Sequence, residues 1–207
     1  MAEKPFVAEF AGPPKSGKST IIERIKYLIP LSISIIKEVS LDCPVEKKKT
    51  LKYMEWSANE IINRLMYSEE IIKRQIVLID CGIVSQLALL EAFMISGRIR
   101  ENEIQNYNFI REHLQMNLRR ENILFYIKMN HDKELSRIRD YKIPSGAIIN
   151  GDFLLKFNMA YEKIISELKS EKQIKIFEIN GELEPEKNAE FAKDNLIREY
   201  RNFIKKR

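Results

Sequence analysis

Gly12-Pro13-Pro14-Lys15-Ser16-Gly17-Lys18-Ser19-Thr20 reads G-P-P-K-S-G-K-S-T, a complete G-x-x-x-x-G-K-[ST] loop. A loop of this spacing wraps backbone N–H groups around nucleotide phosphates, and the helix behind it points its positive end at them. All nine residues, Gly12 to Thr20, are therefore assigned to the nucleotide. Lys18 is placed to reach the β- and γ-phosphates, and Ser19 to put its hydroxyl on Mg²⁺. The flanks agree. Phe6 to Ala11 is a short apolar run of strand type, and Ser19 to Leu28 carries apolar residues at helical spacing until Pro30 ends it.

Working outward, the chain shows five β-type runs: Phe6 to Ala11, Ile33 to Val39, Gln75 to Asp80, Ile123 to Met129 and Ile174 to Ile179. Each is short, apolar and rich in Ile, Val or Phe, as expected of parallel strands buried on both faces. Helical patterns fill the gaps at Thr50 to Tyr67, Val84 to Ile95, Asn102 to Arg120, Asp152 to Lys169 and Pro185 to Lys205. Strands alternating with helices predict an α/β fold, a doubly wound five-stranded parallel sheet flanked by helices, with a phosphate loop. The 207 residues suit one domain over 1–207. A helical insert at about 98–120 is expected to shape the substrate side, and a lid at about 131–150 to cover the nucleotide.

Composition narrows the function. The net charge is +5, from 35 Lys and Arg against 30 Asp and Glu. These charges are scattered, with short clusters at Lys47-Lys48-Lys49 and Lys205-Lys206-Arg207. A solvated surface with a few arginines near an anionic substrate is favoured over a nucleic-acid interface, which stays open. Two cysteines without metal-ligand spacing, no membrane-length apolar run and no signal-peptide pattern lead to the expectation of a cytoplasmic protein. The apolar helix Val84 to Ile95 could supply a homodimer face.

In such sheets ligands sit at the carboxyl ends of the strands. Asp80 ends a buried run there. It is assigned to Mg²⁺ or to base chemistry, against the alternative of a helix cap. Glu38, near the end of the second run, could take a proton from an acceptor hydroxyl; Lys37 could instead be the inward residue. Arg137 and Arg139 follow the fourth run, where guanidinium groups could neutralise a moving phosphoryl group, Arg137 ahead of Arg139. Arg98 and Arg100 are weaker candidates for an acceptor anion. Trp56, Tyr53 and Phe93 could stack on a base or simply be core. His113 and His131 lack partners at metal-ligand spacing, and Cys81 reads as a structural thiol.

These residues carry a resemblance. Phe6 through Thr20 looks like the opening of thymidylate kinases and related deoxynucleoside kinases. Asp80-Cys81-Gly82-Ile83-Val84-Ser85-Gln86-Leu87-Ala88 resembles the thymidylate kinase pattern D-R-Y-x-x-S-x-x-A, with Asp80, Ser85 and Ala88 matching. Ser145 to Asn150, with Phe153-Leu154 and Phe157-Asn158, is also similar to bacterial kinase-like ATPases that use D-R-G. The resemblance implies a base near Glu38 and a lid near Arg137 and Arg139. Cys81 departs from it, because those families place arginine there, which in thymidylate kinases helps bind the acceptor nucleotide's phosphate; Arg98 is the candidate substitute.

The leading expectation is a nucleoside- or nucleotide-kinase-like phosphotransferase using ATP and Mg²⁺ and a small hydroxyl or phosphate acceptor. The second is a regulatory ATPase or GTPase working with a protein partner. The third is a polynucleotide kinase or another nucleic-acid-processing ATPase. Met129-Asn130-His131-Asp132 lacks an N-K-x-D-like guanine motif, which favours ATP as donor.

Overall fold

A computed structural model describes residues 4–44, 50–72, 75–140, 151–172 and 174–206. The basic cluster Lys47 to Lys49, the lid residues 141–150, the segment Ser145 to Asn150 and Arg207 lie outside the described residues.

Five strands form one sheet in the order β2-β3-β1-β4-β5. They are β1 (Phe6–Ala11), β2 (Ile33–Ile36), β3 (Ile76–Asp80), β4 (Ile123–Lys128) and β5 (Lys175–Asn180). Every pairing is parallel. The helices are α1 (Lys18–Leu28), α2 (Leu51–Ile71), α3 (Ile83–Ile95), α4 (Ile104–Asn117), α5 (His131–Asp140), α6 (Gly151–Glu171) and α7 (Pro185–Lys205).

Strand alternation divides the core. Phe6, Ala8 and Phe10 face one side with Ile76, Leu78, Ile123, Phe125 and Ile127, and α1 and α7 cover them through Ile21, Ile22, Ile25, Ala192 and Leu196. Val7 and Ala11 face the other side with Val77, Ile79, Leu124 and Tyr126, under α2, α3, α4 and α6. Glu9 lies between Val7 and Ala11 in sequence, so it enters this second layer, and it is fully buried.

The fold is the doubly wound sheet expected, with corrections at its edges. β1, β3 and β4 are buried as continuous apolar runs should be, but β2 and β5 are edge strands and only partly covered. β2 stops at Ile36, three residues before Val39, because the chain turns into a 3-10 turn at Val39–Asp42. Arg64 on α2 holds that turn through Asp42 at 3.0 Å and the Lys37 carbonyl at 3.4 Å. The helical pattern of Asn102 to Arg120 resolves into α4 between two 3-10 turns, Glu101–Glu103 and Leu118–Arg120. α4 buries Tyr107, Ile110 and Leu114 in the layer it shares with α2 and α3.

β1 is central, between β3 and β4. The loop that leaves its carboxyl end is therefore flanked by the ends of both neighbours, with Phe10 in register with Asp80 and Ala11 with Tyr126.

Candidate active site

The loop closes tightly because of two glycines. Gly12 has φ +146°, and a Cβ there would lie 2.5 Å from the Ile127 carbonyl oxygen on β4. Gly17 precedes α1 in the left-handed region, at φ 95°. α1 has no side-chain cap and no acidic residue in its first turn, so its positive end is open to an anion. Lys18 is buried, and its Nζ donates to the Gly12 and Pro13 carbonyls at 2.9 Å each. Ser16 is buried with its hydroxyl unpartnered. An orphaned hydroxyl and an ammonium resting on its own loop are what a phosphate would satisfy.

The Ser19 hydroxyl donates to Asp80 Oδ2 at 2.5 Å. A hydroxyl and a carboxylate in contact beside a phosphate loop form a hard-oxygen donor set fitting Mg²⁺. Among the described residues no group of three or more His, Cys, Asp or Glu could hold a metal. A cation here would complete its shell from phosphate and water.

Opposite the loop the site is acidic. Cys81 follows Asp80 at φ 64°. Burial pushes its thiol well up; Lys18 opposes that shift, while Glu38, Asp80 and Glu9 reinforce it. These four side chains therefore lie near enough to bear on one sulfur. Glu38 sits where the chain enters the 3-10 turn and accepts a hydrogen bond from Ser40. Glu38 also raises the Tyr53 phenol, whose ordinary value is lifted first by burial. Trp56 stacks on Tyr53, with ring centroids 6.5 Å apart.

Beneath Cys81 lies a feature the motifs did not flag. Glu9 accepts from the amides of Gly82, Val84 and Ser85 at 2.8–2.9 Å and from the Ser85 hydroxyl at 2.7 Å. Glu121 accepts from the Ile83 amide at 3.1 Å. Two carboxyl groups thus cap α3 from neighbouring elements. Burial, then Glu9, pushes Glu121 well above the carboxylate range, so Glu121 is the protonated partner. A Cβ on Gly82 would sit 2.7 Å from Glu121 Oε1 and 2.8 Å from Glu9 Oε2, so the aromatic of the D-R-Y pattern would have to displace both carboxyl groups from their hydrogen bonds. The available signal was a single glutamate inside the apolar strand F-V-A-E-F-A, since a fully buried acid needs partners.

Arg137, on α5, donates to the Lys15 carbonyl at 3.2 Å and the Gly181 carbonyl at 3.1 Å, so it bridges the loop and the turn after β5. Lys18, Ser19, Asp80, Glu38 and Arg137 are thus gathered around the loop and Cys81. The remaining candidates lie elsewhere. Arg139 and Lys37 are exposed. Arg98 follows α3, whose 13 residues span about 20 Å. Its guanidinium lies 3.9 Å from the Phe153 ring centroid and 5.4 Å from that of Phe93, on aromatic rings and not beside Cys81.

Residues 11–205 match the sequence profile of the deoxynucleoside kinase family. The chain belongs to that family. It is a phosphotransferase of the nucleoside kinase type. A deoxyadenosine kinase from M. mycoides, solved with the products dCMP and a flexible dCDP, superposes with TM-score 0.76 at 15% identity, covering 92% of this chain and 98% of that one. The same enzyme with bound dATP gives TM-score 0.74 at 16% identity, over 92% and 99%. A thymidylate kinase from Candida albicans gives 0.65 at 14% identity, over 97% and 95%. At these identities the likeness is one of fold. No curated protein sequence matches the chain. Among the described residues no helix is long and apolar enough to cross a membrane.

Proposed function

We propose that this deoxynucleoside kinase family member transfers the γ-phosphate of ATP to a hydroxyl of an uncharged nucleoside. The observation that carries the reading is the shared environment of Cys81, which Lys18 approaches with positive charge and Glu38, Asp80 and Glu9 with negative charge. A phosphate donor suits the cationic side. A phosphorylated acceptor would meet Glu38 beside a thiol where the resembling families place arginine, whereas a neutral hydroxyl would meet a base.

The roles follow. The loop amides and Lys18 hold the phosphates. Ser19 and Asp80 would hold Mg²⁺, which would supply positive charge to neutralise the phosphates. Glu38 accepts the acceptor hydroxyl's proton as that oxygen bonds to the γ-phosphorus, and the bond to the ADP oxygen breaks. Arg137, bridging loop and turn, draws in to neutralise the moving phosphoryl group. Trp56, half-buried and stacked on the core residue Tyr53, offers an aromatic face that suits a base.

The test is incubation with ATP, Mg²⁺ and a panel of nucleosides and nucleoside monophosphates, with products separated by chromatography. A nucleoside monophosphate formed with stoichiometric ADP is expected. ADP formed at the same slow rate with and without every acceptor would support the regulatory ATPase instead.

A further inference from the structure

We propose that Glu134, on the helix carrying Arg137, is a positioning residue that takes up a proton when nucleotide phosphates enter the loop, making nucleotide binding proton-linked. The inference rests on the reading of Gly12 to Thr20 as a nucleotide loop.

Glu134 lies in the first turn of α5, with its amide donating to the Asn130 carbonyl. Its residue exposure is 0%. Oε2 accepts from Asn158 Nδ2 of α6 at 2.7 Å, while Oε1 is buried without a hydrogen-bond partner. This carboxyl joins α5 to α6 and keeps one oxygen spare.

Few groups face it. Lys18 approaches from α1 and favours the ionised form. His131, one turn earlier on α5, has Nδ1 3.9 Å from Oε2 and 3.5 Å from Asn158 Nδ2. Asn158, from α6, carries no charge. Tyr126, from β4, feels the carboxylate, and its phenol bonds Glu162 at 3.2 Å. Arg137 is directed to the Lys15 and Gly181 carbonyls. Burial pushes Glu134 up to about 7, against the opposing pull of Asn158 and Lys18. The group is balanced between its two forms near neutral pH.

Phosphates would tip that balance. Before they bind, the Lys18 ammonium rests on two carbonyls, and its charge is available to Glu134. Phosphate oxygens claim the same ammonium and bring negative charge of their own. Glu134 then loses its cation and gains like-charged neighbours, and both changes favour protonation. A neutral Glu134 no longer repels the phosphates, so α5 can settle over them with Arg137.

Calorimetric titration of the full chain with MgATP at pH 7, in buffers of different ionisation enthalpy, counts the protons. Because about half of Glu134 is already protonated there, the wild type is expected to take up at most about half a proton per nucleotide. His131→Asn keeps that uptake. Glu134→Gln still binds ATP but loses it. Uptake also means that wild-type affinity tightens as pH falls from about 8 to 6, a dependence that Glu134→Gln flattens. Binding by the wild type without proton uptake overturns the proposal whether or not the variants fold. So does uptake that survives in Glu134→Gln or disappears in His131→Asn. Wild-type protein that binds no nucleotide removes the loop reading, and with it this proposal.

Discussion

The two halves of the site are built by opposite means. The donor half comes from one continuous stretch, Gly12 to Thr20, and works through backbone: open amides at the start of α1, and Lys18 resting on two carbonyls. The acceptor half comes from distant parts of the chain and works through side chains: Glu38 from the turn after β2 and Cys81 from the end of β3, over the α3 cap that Glu9 of β1 and Glu121 supply. One half binds anions by default. The other repels them, and its single thiol stands where the family pattern has arginine. Binding a triphosphate and choosing what receives its phosphate are therefore separable properties of this molecule.

That separation can be broken or sharpened by substitution. Glu38→Gln should lower kcat by about 10²–10⁴-fold, the usual worth of a general base, with ATP affinity unchanged by calorimetry. A parallel loss of ATP affinity would move Glu38 into the donor half. Lys18→Ala should cost about 10²–10³-fold in turnover, as for removal of one preorganised charge donor, and should weaken ATP binding in the same assay. Intact affinity would mean that the ammonium does not contact the phosphates. Cys81→Arg brings a cation among the acids. It should shift the ratio of monophosphate to nucleoside turnover by about ten- to a hundredfold, the worth of one charge-assisted hydrogen bond. An unchanged ratio would show that the acidic half does not select the acceptor.

The smallest effect concerns stability. Glu121 is held protonated in the fold, so the native state binds a proton that the unfolded chain releases above its ordinary value of 4.5. Stability should fall as pH rises above that ordinary value, by at most about 1.4 kcal/mol per pH unit from this group. Glu121→Gln should flatten that slope in thermal unfolding. An identical slope in both proteins would mean that Glu121 is ionised in the fold.

This difference in construction explains what could be read from the sequence. The loop, the five strands and their parallel direction were legible because they depend on local spacing, apolar runs and the alternation of strands with helices. Glu38 and Asp80 were visible as acids near strand ends. The turn that brings Glu38 to Cys81 was not visible, since it depends on Arg64, more than twenty residues away, gripping Asp42 and the Lys37 carbonyl. Glu9 and Glu121 are 112 positions apart and meet only because β1 and β4 are neighbours in the sheet. In sequence Arg98 is only the weaker anion candidate beside Arg137, and nothing local shows why. What separates them is where their helices end: one guanidinium lies over Phe153, the other over the Lys15 and Gly181 carbonyls. No periodicity marks Glu134, because its partners come from α6 and the loop.

The most direct measurement is a crystal structure with a non-hydrolysable ATP analogue, Mg²⁺ and the best nucleoside acceptor together. The account predicts phosphates inside Gly12 to Thr20 and an acceptor hydroxyl within about 2.6–3.2 Å of a Glu38 carboxylate oxygen. An acceptor bound away from Glu38, or one whose own phosphate lies among Glu38, Asp80 and Cys81, would contradict it.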